Sequence, residues 1–180
     1  MKLRGALTAF PINIRDLVII DVGASTGGFT DCLLQEGARK VYALDVGYGQ
    51  LAWKLREDKR VVPIERTNIR TFEGVGIVDP VDMATIDTSF ISLKLVIPAV
   101  LKLIKAHDAV ILALIKPQFE ACRGEVEKRG VVRDPDVHKR VIEEIRAFCV
   151  NLGLHVMGVC ESPLTGPEGN KEFFIYLRTP

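Results

Sequence analysis

A glycine-rich stretch is the part of the sequence whose residue types and spacing best suit ligand chemistry. It reads Asp-Val-Gly-Ala-Ser-Thr-Gly-Gly-Phe-Thr over residues 21–30. Glycines permit a tight turn and let backbone N–H groups approach a ligand, especially where a helix begins. The spacing matches neither the G-x-G-x-x-G pattern of dinucleotide sites nor the P-loop, which weakens both interpretations. The candidate cofactor-binding residues of this stretch are Asp21, Gly23, Ala24, Ser25, Thr26, Gly27, Gly28 and Phe29.

Further candidate cofactor-binding residues follow two later apolar segments. Asp45, followed by Val46, ends the second segment, where a carboxylate can accept hydrogen bonds from both hydroxyls of a ribose. Asn68 and Ile69 follow the third segment, where an adenine ring would lie. A glycine-rich turn with an acid after the second strand occurs in both nicotinamide and S-adenosylmethionine sites. The pattern therefore predicts a nucleoside cofactor, and the alternative is a helix cap, a strand-end acid and an ordinary loop.

Apolar runs and helix-period segments alternate along the chain and would position these residues. The predicted strands cover residues 17–22, 41–45, 61–65, 83–87 and 109–115, and the predicted helices cover 29–36, 93–104 and a segment opening at 134–135. This alternation predicts a doubly wound, Rossmann-like α/β sheet with ligands at the carboxyl ends of its strands. The closing strands, 154–161 and 172–177, have no helix between them. We therefore expect a mostly parallel sheet with a C-terminal antiparallel strand, as in methyltransferases of this architecture.

Composition and cysteine spacing exclude several classes of protein. Hydrophobic residues make up 48% and charged residues 26% of the chain, which fits one globular domain rather than a disordered chain. No apolar run approaches the ~20 residues of a membrane span, and no signal peptide precedes the first strand. We therefore expect a cytoplasmic protein without membrane contact. The four cysteines lack C-x-x-C spacing, so we expect free thiols and no metal site.

Six blocks of the sequence closely resemble the hemolysin A (TlyA) group of FtsJ-like methyltransferases. They are residues 21–35, 45–51, 65–70, 87–93, 114–120 and 166–174. Because the blocks are distributed over almost the whole chain, the resemblance is highly specific. It implies that residues 1–180 form an S-adenosylmethionine-dependent methyltransferase domain. The implied reaction is 2′-O-methylation, and the implied partner is ribosomal RNA or a ribosomal subunit.

The resemblance also implies a catalytic tetrad. FtsJ-like enzymes use a Lys-Asp-Lys-Glu set, which falls by motif on Lys2, Asp87, Lys116 and Glu172. A ribose hydroxyl is a poor nucleophile, so the site must align it with the methyl donor and ease loss of its proton. We expect Lys116 to be the base with Lys2 as a nearby like charge, and Asp87 to orient Lys116 and face the sulfonium. Glu172 would position Lys2 or the ribose. The alternative is a set of purely structural salt bridges.

Many family members carry an S4-type RNA-binding domain ahead of the catalytic domain, and we expect this chain to lack one. The helix expected before the first strand would begin at Met1 itself, so we expect that something upstream is missing. The resemblance therefore does not imply that this chain binds RNA by itself.

Basic and aromatic residues offer candidate RNA contacts. The two basic clusters are Lys54, Arg56, Lys59, Arg60, Arg66 and Arg70, and Arg123, Lys128, Arg129 and Arg133. The long connection after the fifth strand, residues 118–133, is interpreted as a lid with phosphate contacts, and the alternative is a disordered polar loop. Trp53 and Tyr48 could stack on bases. Burial of Trp53 against a helix over residues 50–55 is the favoured interpretation.

Three other functions stay open at the level of sequence. A nicotinamide-dependent oxidoreductase would use the same sheet, although G-x-G-x-x-G is absent. A membrane-active hemolysin would fit the family's historical name, although no spanning or long cationic amphipathic segment is present. The third is a cofactor-binding pseudoenzyme without transferase activity.

Overall fold

A seven-stranded sheet forms the centre of the protein in a computed structural model that describes residues 2–180. The strands are β1 (Val18–Val22), β2 (Lys40–Leu44), β3 (Val61–Ile64), β4 (Met83–Ile86), β5 (Val110–Ile115), β6 (His155–Glu161) and β7 (Phe173–Arg178). Their order is β3-β2-β1-β4-β5-β7-β6. The strands β1 to β5 pair in parallel, whereas β7 lies antiparallel between β5 and β6. The predicted fold class is confirmed, including its antiparallel end.

Six α-helices accompany the sheet among the described residues. They are α1 (Lys2–Ala9), α2 (Gly28–Gln35), α3 (Trp53–Arg56), α4 (Leu93–Val100), α5 (Pro117–Glu120) and α6 (Pro135–Asn151). The longest, α6, begins as its sequence predicts, because the Asp134 side chain accepts a hydrogen bond from the Asp136 N–H and Pro135 occupies the first turn. Its apolar stripe, which includes Val141 and Ile145, is buried.

The central strands are buried on both faces, which divides the core into two layers. Ile20 of β1 packs in the layer that holds α4 and α6, whereas its neighbour Ile19 packs in the layer that holds α1 and α2. Successive strand side chains point to opposite faces, so a near-continuous apolar run is what a two-layer core requires. Full burial of each such side chain contributes about 1.5–3 kcal/mol. The carboxyl ends of β1, β4 and β5 are therefore held on a rigid frame.

Around β3, strands and helices alternate less regularly than the sequence predicts. The connection from β2 to β3 contains only the one-turn helix α3, and the connection from β3 to β4 contains only a 3-10 turn over Ile69–Thr71. Helix α4 also ends at Val100 rather than at residue 104. The reason is that the chain leaves the helix after residue 100 so that Ile104 can form a parallel bridge with Val81, ahead of β4.

Three features of the described residues concern membrane spans, cysteines and metal ions. No helix within residues 2–180 is both long enough and apolar enough to cross a membrane. The four cysteines are free, as expected. The same stretch of chain contains no group of three or more His, Cys, Asp or Glu residues that could hold a metal ion.

Candidate functional site

A cleft of about 300 Å³ opens at the carboxyl edge of the sheet. It lies above β1 and β4, the point where the strand order reverses, which is the usual ligand site of a doubly wound sheet. Its volume falls at the lower end of the ~300–1,000 Å³ range of small-molecule sites. The residues that line it are Lys2, Gly23, Ala24, Ser25, Thr26, Gly28, Phe29 and Asp87.

Two glycines shape the floor of the cleft in different ways. Gly23 has a left-handed backbone, and a Cβ there would overlap the carbonyl oxygen of Asp87. Glycine at this position is therefore needed to bring the loop against the backbone after β4. Gly28 begins α2, and a Cβ there would meet no atom within 4 Å. This bare surface leaves room for a ligand.

Asp21 lies beneath the cleft and does not line it. It is fully buried, and its two carboxyl oxygens accept hydrogen bonds from the hydroxyls of Thr30 (2.7 Å) and Thr85 (2.8 Å). Burial raises the pKa of Asp21 to about 6, although the two hydroxyl bonds act in the opposite direction. The carboxyl group thus joins β1 to the first turn of α2 and to β4, which supports the glycine-rich loop from below.

The other predicted cofactor residues lie on the loops after β2 and β3. Asp45 accepts hydrogen bonds from the backbone N–H groups of Ser25 (2.8 Å) and Gly47 (2.7 Å), so it joins the loop after β2 to the glycine-rich loop. Its neighbour Val46 is exposed. None of these four residues is among those that line the cleft. Asn68 caps the 3-10 turn after β3, and Ile69 is buried in the core.

The four tetrad residues form two ion pairs beside the cleft. The Nζ atom of Lys116 lies 2.6 Å from Oδ1 of Asp87, and it also donates a hydrogen bond to Ser89 Oγ at 3.0 Å. The Nζ atom of Lys2 lies 2.6 Å from Oε2 of Glu172. One member of each pair, Asp87 and Lys2, lines the cleft. Residues that are up to 170 positions apart in sequence therefore converge on one site.

Glu172 is held in an environment that is unusual for a carboxylate. Its side chain is fully buried, and its Oε1 atom has no hydrogen-bond partner. A Cβ on Gly166 would overlap this oxygen, which accounts for glycine at residue 166. A buried acceptor without a partner costs about 1–3 kcal/mol, and such groups concentrate at functional sites.

An aromatic pair that the sequence did not predict lies on the segments after β4 and β5. Phe90 is 89% exposed and has a left-handed backbone, with φ of 62°. Its ring lies 5.0 Å from that of Phe119, which follows β5. The Phe90 ring therefore packs against little of the protein besides Phe119. The run Asp-Thr-Ser-Phe directly after a buried strand was the available signal, but only the tertiary structure shows the pairing.

Glu120 was also missed, and it joins the loops after β4 and β5. Its carboxylate accepts hydrogen bonds from Ser92 Oγ at 2.6 Å and from the Leu93 N–H at 2.7 Å, at the start of α4. Burial raises the pKa of Glu120. The segment that carries Lys116 is thereby fixed to the segment that carries Asp87.

The prediction that Trp53 is buried was wrong, because its side chain is 73% exposed. The helix α3 has a single turn and begins at Trp53 rather than at residue 50, so only Leu51 and Leu55 pack against Gly27 of the glycine-rich loop. Tyr48 is exposed nearby, and the guanidinium of Arg66 lies 4.2 Å from the centre of its ring.

The first basic cluster is partly neutralised by neighbouring acids. Ion pairs join Lys54 to Asp31, Arg56 to Glu65 and Arg60 to Asp58. In the second cluster Arg133 pairs with Glu127, while Lys128 and Arg129 lie exposed at a turn.

Comparison with known proteins gives matches over nearly the whole chain. Residues 1–179 match the family described as FtsJ-like methyltransferase. A Bacillus subtilis protein provisionally named rRNA methyltransferase YqxC is 49% identical over 181 residues, covering 100% of this chain and 64% of the relative. A Mycobacterium tuberculosis protein named 16S/23S rRNA (cytidine-2′-O)-methyltransferase TlyA is 50% identical over 178 residues, covering 99% of this chain and 66% of the relative.

A solved structure supports the same relationship. The structure of a candidate hemolysin from Streptococcus thermophilus is 46% identical and superposes with a TM-score of 0.95, covering 99% of this chain and 64% of that one. The chain thus spans just under two thirds of the length of these three relatives. The glycine-rich loop and the two ion pairs lie within residues 1–179, the range that the family match covers. The chain belongs to the family of FtsJ-like methyltransferases.

Proposed function

We propose that the chain catalyses transfer of a methyl group from S-adenosylmethionine to a ribose 2′-hydroxyl of ribosomal RNA. The observation that carries the proposal is the Lys116–Asp87 ion pair at the edge of the glycine-lined cleft, with the Lys2–Glu172 pair beside it. The name of the Mycobacterium tuberculosis relative, a 2′-O-methyltransferase of rRNA, supports the choice of substrate.

The residues present fit an S-adenosylmethionine molecule. The bare surface of Gly28 leaves room at the start of α2, and the Asp45 carboxylate beside Ser25 suits ribose hydroxyls. The Asp87 carboxylate lines the cleft, where it suits a cation. When bound, the cofactor supplies a methyl group activated by a positively charged sulfur. The residues proposed to hold it are Asp21, Gly23, Ala24, Ser25, Thr26, Gly27, Gly28, Phe29, Asp45, Val46 and Asp87, with Asp21 acting from beneath the loop. Asn68 and Ile69 would act through the turn after β3, because neither lines the cleft.

Lys116 is the proposed general base. Its side chain is 9% exposed, and the contact with Asp87 and the hydrogen bond to Ser89 fix where Nζ points. Only the neutral amine of Lys116 can accept a proton. Nζ of Lys116 would accept the proton that the ribose hydroxyl loses when it is methylated. Asp87 holds the resulting ammonium in place.

The second ion pair is proposed to position the reacting ribose. Glu172 holds Lys2 at the cleft wall, and Lys2 is the member of the pair that faces the ribose. Correct alignment of the reacting atoms accounts for a large part of catalysis in group transfer. Lys2 would in addition contact the negatively charged backbone of the RNA.

Recognition of the ribosomal substrate is proposed to involve more than this chain. This chain covers 64% and 66% of the length of the two relatives, and the family resemblance implies an S4-type RNA-binding domain. The proposed partner is a ribosomal subunit or its RNA, and the proposed location is the cytoplasm.

The test is methyl transfer from labelled S-adenosylmethionine to ribosomal subunits from a strain that lacks the endogenous activity. We expect Lys116→Ala to reduce the single-turnover rate about 10²–10⁴-fold, the range attributed to a general base. Affinity for S-adenosylhomocysteine, measured by calorimetry, should change little. Lys94→Ala is the matched control, because Lys94 also pairs with a carboxylate but lies on α4, outside the cleft. A near-normal rate for Lys116→Ala would contradict the assignment of the base.

A further inference from the structure

Asn170 makes hydrogen bonds that connect two distant segments of the chain. The residue is 3% exposed. Its Oδ1 atom accepts from the N–H of Val132 at 3.0 Å, and its Nδ2 atom donates to the carbonyl of Gly130 at 2.9 Å. Nδ2 also donates to the carbonyl of Pro167 at 3.2 Å, within its own turn. The amide thus uses its donor and acceptor sides together, which neither a carboxylate nor a hydroxyl can reproduce.

The segment that Asn170 holds ends in a tight turn with two exposed cations. We call residues 127–131 the basic turn. The N–H of Glu127 donates to the carbonyl of Val131 at 2.8 Å, and the N–H of Gly130 donates to the carbonyl of Glu127 at 3.0 Å. Lys128 and Arg129 lie exposed at its tip, where Arg129 has a left-handed backbone with φ of 72°.

A second buried side chain fixes the same segment from another side. His138 Nε2 lies 2.8 Å from the carbonyl oxygen of Val132, and the His138 ring packs against Phe173 of β7. The Val132 peptide is therefore held at its N–H by Asn170 and at its carbonyl by His138. The basic turn is therefore joined to the body of the protein through Gly130 and the adjacent Val132.

The anchor also fixes the distance between the basic turn and Glu172. Asn170 is two residues before Glu172, and its turn includes Gly166, whose bare surface contacts the Glu172 carboxylate. Any displacement of Asn170 moves the turn that confines Glu172. Through these contacts Asn170 links the basic turn, with its two exposed cations, to the segment that carries Glu172.

We propose that Asn170 is a positioning residue that holds the basic turn as a contact for the RNA backbone, at a fixed position relative to Glu172. Phosphate contacts fix the register of a nucleic acid on a protein, so Lys128 and Arg129 would set which ribose reaches the cleft. This assignment rests on the proposed function, because it requires an RNA substrate.

The test compares Asn170→Asp with a Lys128→Ala/Arg129→Ala variant and with the triple variant. Aspartate keeps the shape and the bond to Val132 but loses both donors and turns an oxygen toward two carbonyls. Binding to a labelled oligocytidylate is measured over a range of salt concentrations. Removal of two phosphate contacts makes the slope of log affinity against log salt shallower by about 1.4. We expect Asn170→Asp to produce a similar change, and the triple variant to add little further change.

Two readouts separate positioning from loss of structure. Affinity for S-adenosylhomocysteine should stay within about twofold, because the cofactor cleft does not include Asn170. Transfer to ribosomal subunits should show a raised KM for RNA with a smaller change in kcat. Asn170→Ala replaces Asn170→Asp if the latter fails to fold.

An unchanged salt slope in the Asn170 variants, or fully additive losses in the triple variant, would overturn the assignment of Asn170. Absence of both RNA binding and methyl transfer in the unaltered chain would instead overturn the proposed function, and this assignment with it.

Discussion

Asp21 is fully buried, and its ionisation therefore affects the stability of the fold. Its pKa of about 6 in the folded protein lies above the ordinary value of 3.8. The folded state thus binds the proton more tightly than the unfolded chain does. This stabilising contribution is complete at pH values below the unfolded pKa and is lost as the pH rises through about 6.

Asp21→Asn should remove this pH dependence. Relative to the variant, the free energy of unfolding of the unaltered protein should fall by roughly 3 kcal/mol between about pH 3.5 and pH 7. Urea denaturation of both proteins across that range is the measurement. Asp136→Asn, at an 89% exposed side chain, is the control. If the difference in the free energy of unfolding between the Asp21 variant and the unaltered protein did not change with pH, burial would not raise the pKa of Asp21.

Replacement of Phe90 should weaken RNA binding without destabilising the fold. Its left-handed backbone costs about 1 kcal/mol for a residue other than glycine, and its ring is solvent-exposed except for the contact with Phe119. Phe90→Gly should leave the free energy of unfolding unchanged or raise it by up to about 1 kcal/mol. RNA affinity should fall several-fold, since stacking on a base contributes ~1–3 kcal/mol.

Thermal unfolding and oligonucleotide binding are measured on the same Phe90→Gly sample. Leu95→Ala, at an exposed apolar side chain of α4, is the matched control for loss of apolar surface. Phe90 would be a packing residue if its replacement destabilised the fold and left RNA binding intact.

At the scale of elements, the glycine-rich loop shows that two glycines can serve opposite purposes. Gly23→Ala places a methyl group against the carbonyl of Asp87 and strains a left-handed backbone, so we expect a loss of about 2–4 kcal/mol in stability. Gly28→Ala meets no atom of the protein, so stability should be kept or rise slightly.

Binding of S-adenosylhomocysteine separates these two glycine variants further. The methyl group of Gly28→Ala enters the space beside the cleft and should weaken affinity at least tenfold in a stable protein. In Gly23→Ala, weakened affinity should accompany the loss of stability. Normal binding by Gly28→Ala would show that the cofactor does not approach the start of α2.

Elements with long periodic patterns were predictable from the sequence, and short ones were not. The buried strands are apolar runs, and α6 has both its cap and its stripe. The helix α3 has a single turn, which is too short to show a periodic pattern of apolar residues. The exposure of Trp53 depends on tertiary packing, so the sequence alone could not predict it. The anchors made by Asn170 and Glu120 join segments 28 to 40 residues apart in sequence, and no local pattern encodes them.

At the scale of the whole molecule, the antiparallel strand explains how the tetrad assembles. Ile115 at the end of β5 pairs with Phe173 at the start of β7, so the residues beyond them, Lys116 and Glu172, lie at the same edge. A parallel β7 would place its start at the opposite edge. The topology therefore brings the two ion pairs together, whereas the motifs alone only identify the four residues.

A ligand in the cleft should stabilise the entire fold, because all seven strands belong to one sheet and the cleft lies at its centre. S-adenosylhomocysteine at a hundred times its Kd should add about 2.7 kcal/mol, which corresponds to a rise in Tm of roughly 5–10 °C for a chain of this size. NAD at the same concentration should not raise Tm, because the loop lacks the glycine spacing of a dinucleotide site. At the same ligand concentration the Gly28→Ala variant should lose at least about half of the shift while keeping its own Tm. If NAD stabilised the protein and S-adenosylhomocysteine did not, the cleft would hold a nicotinamide cofactor, and the proposed role of Lys116 as base in methyl transfer would no longer stand.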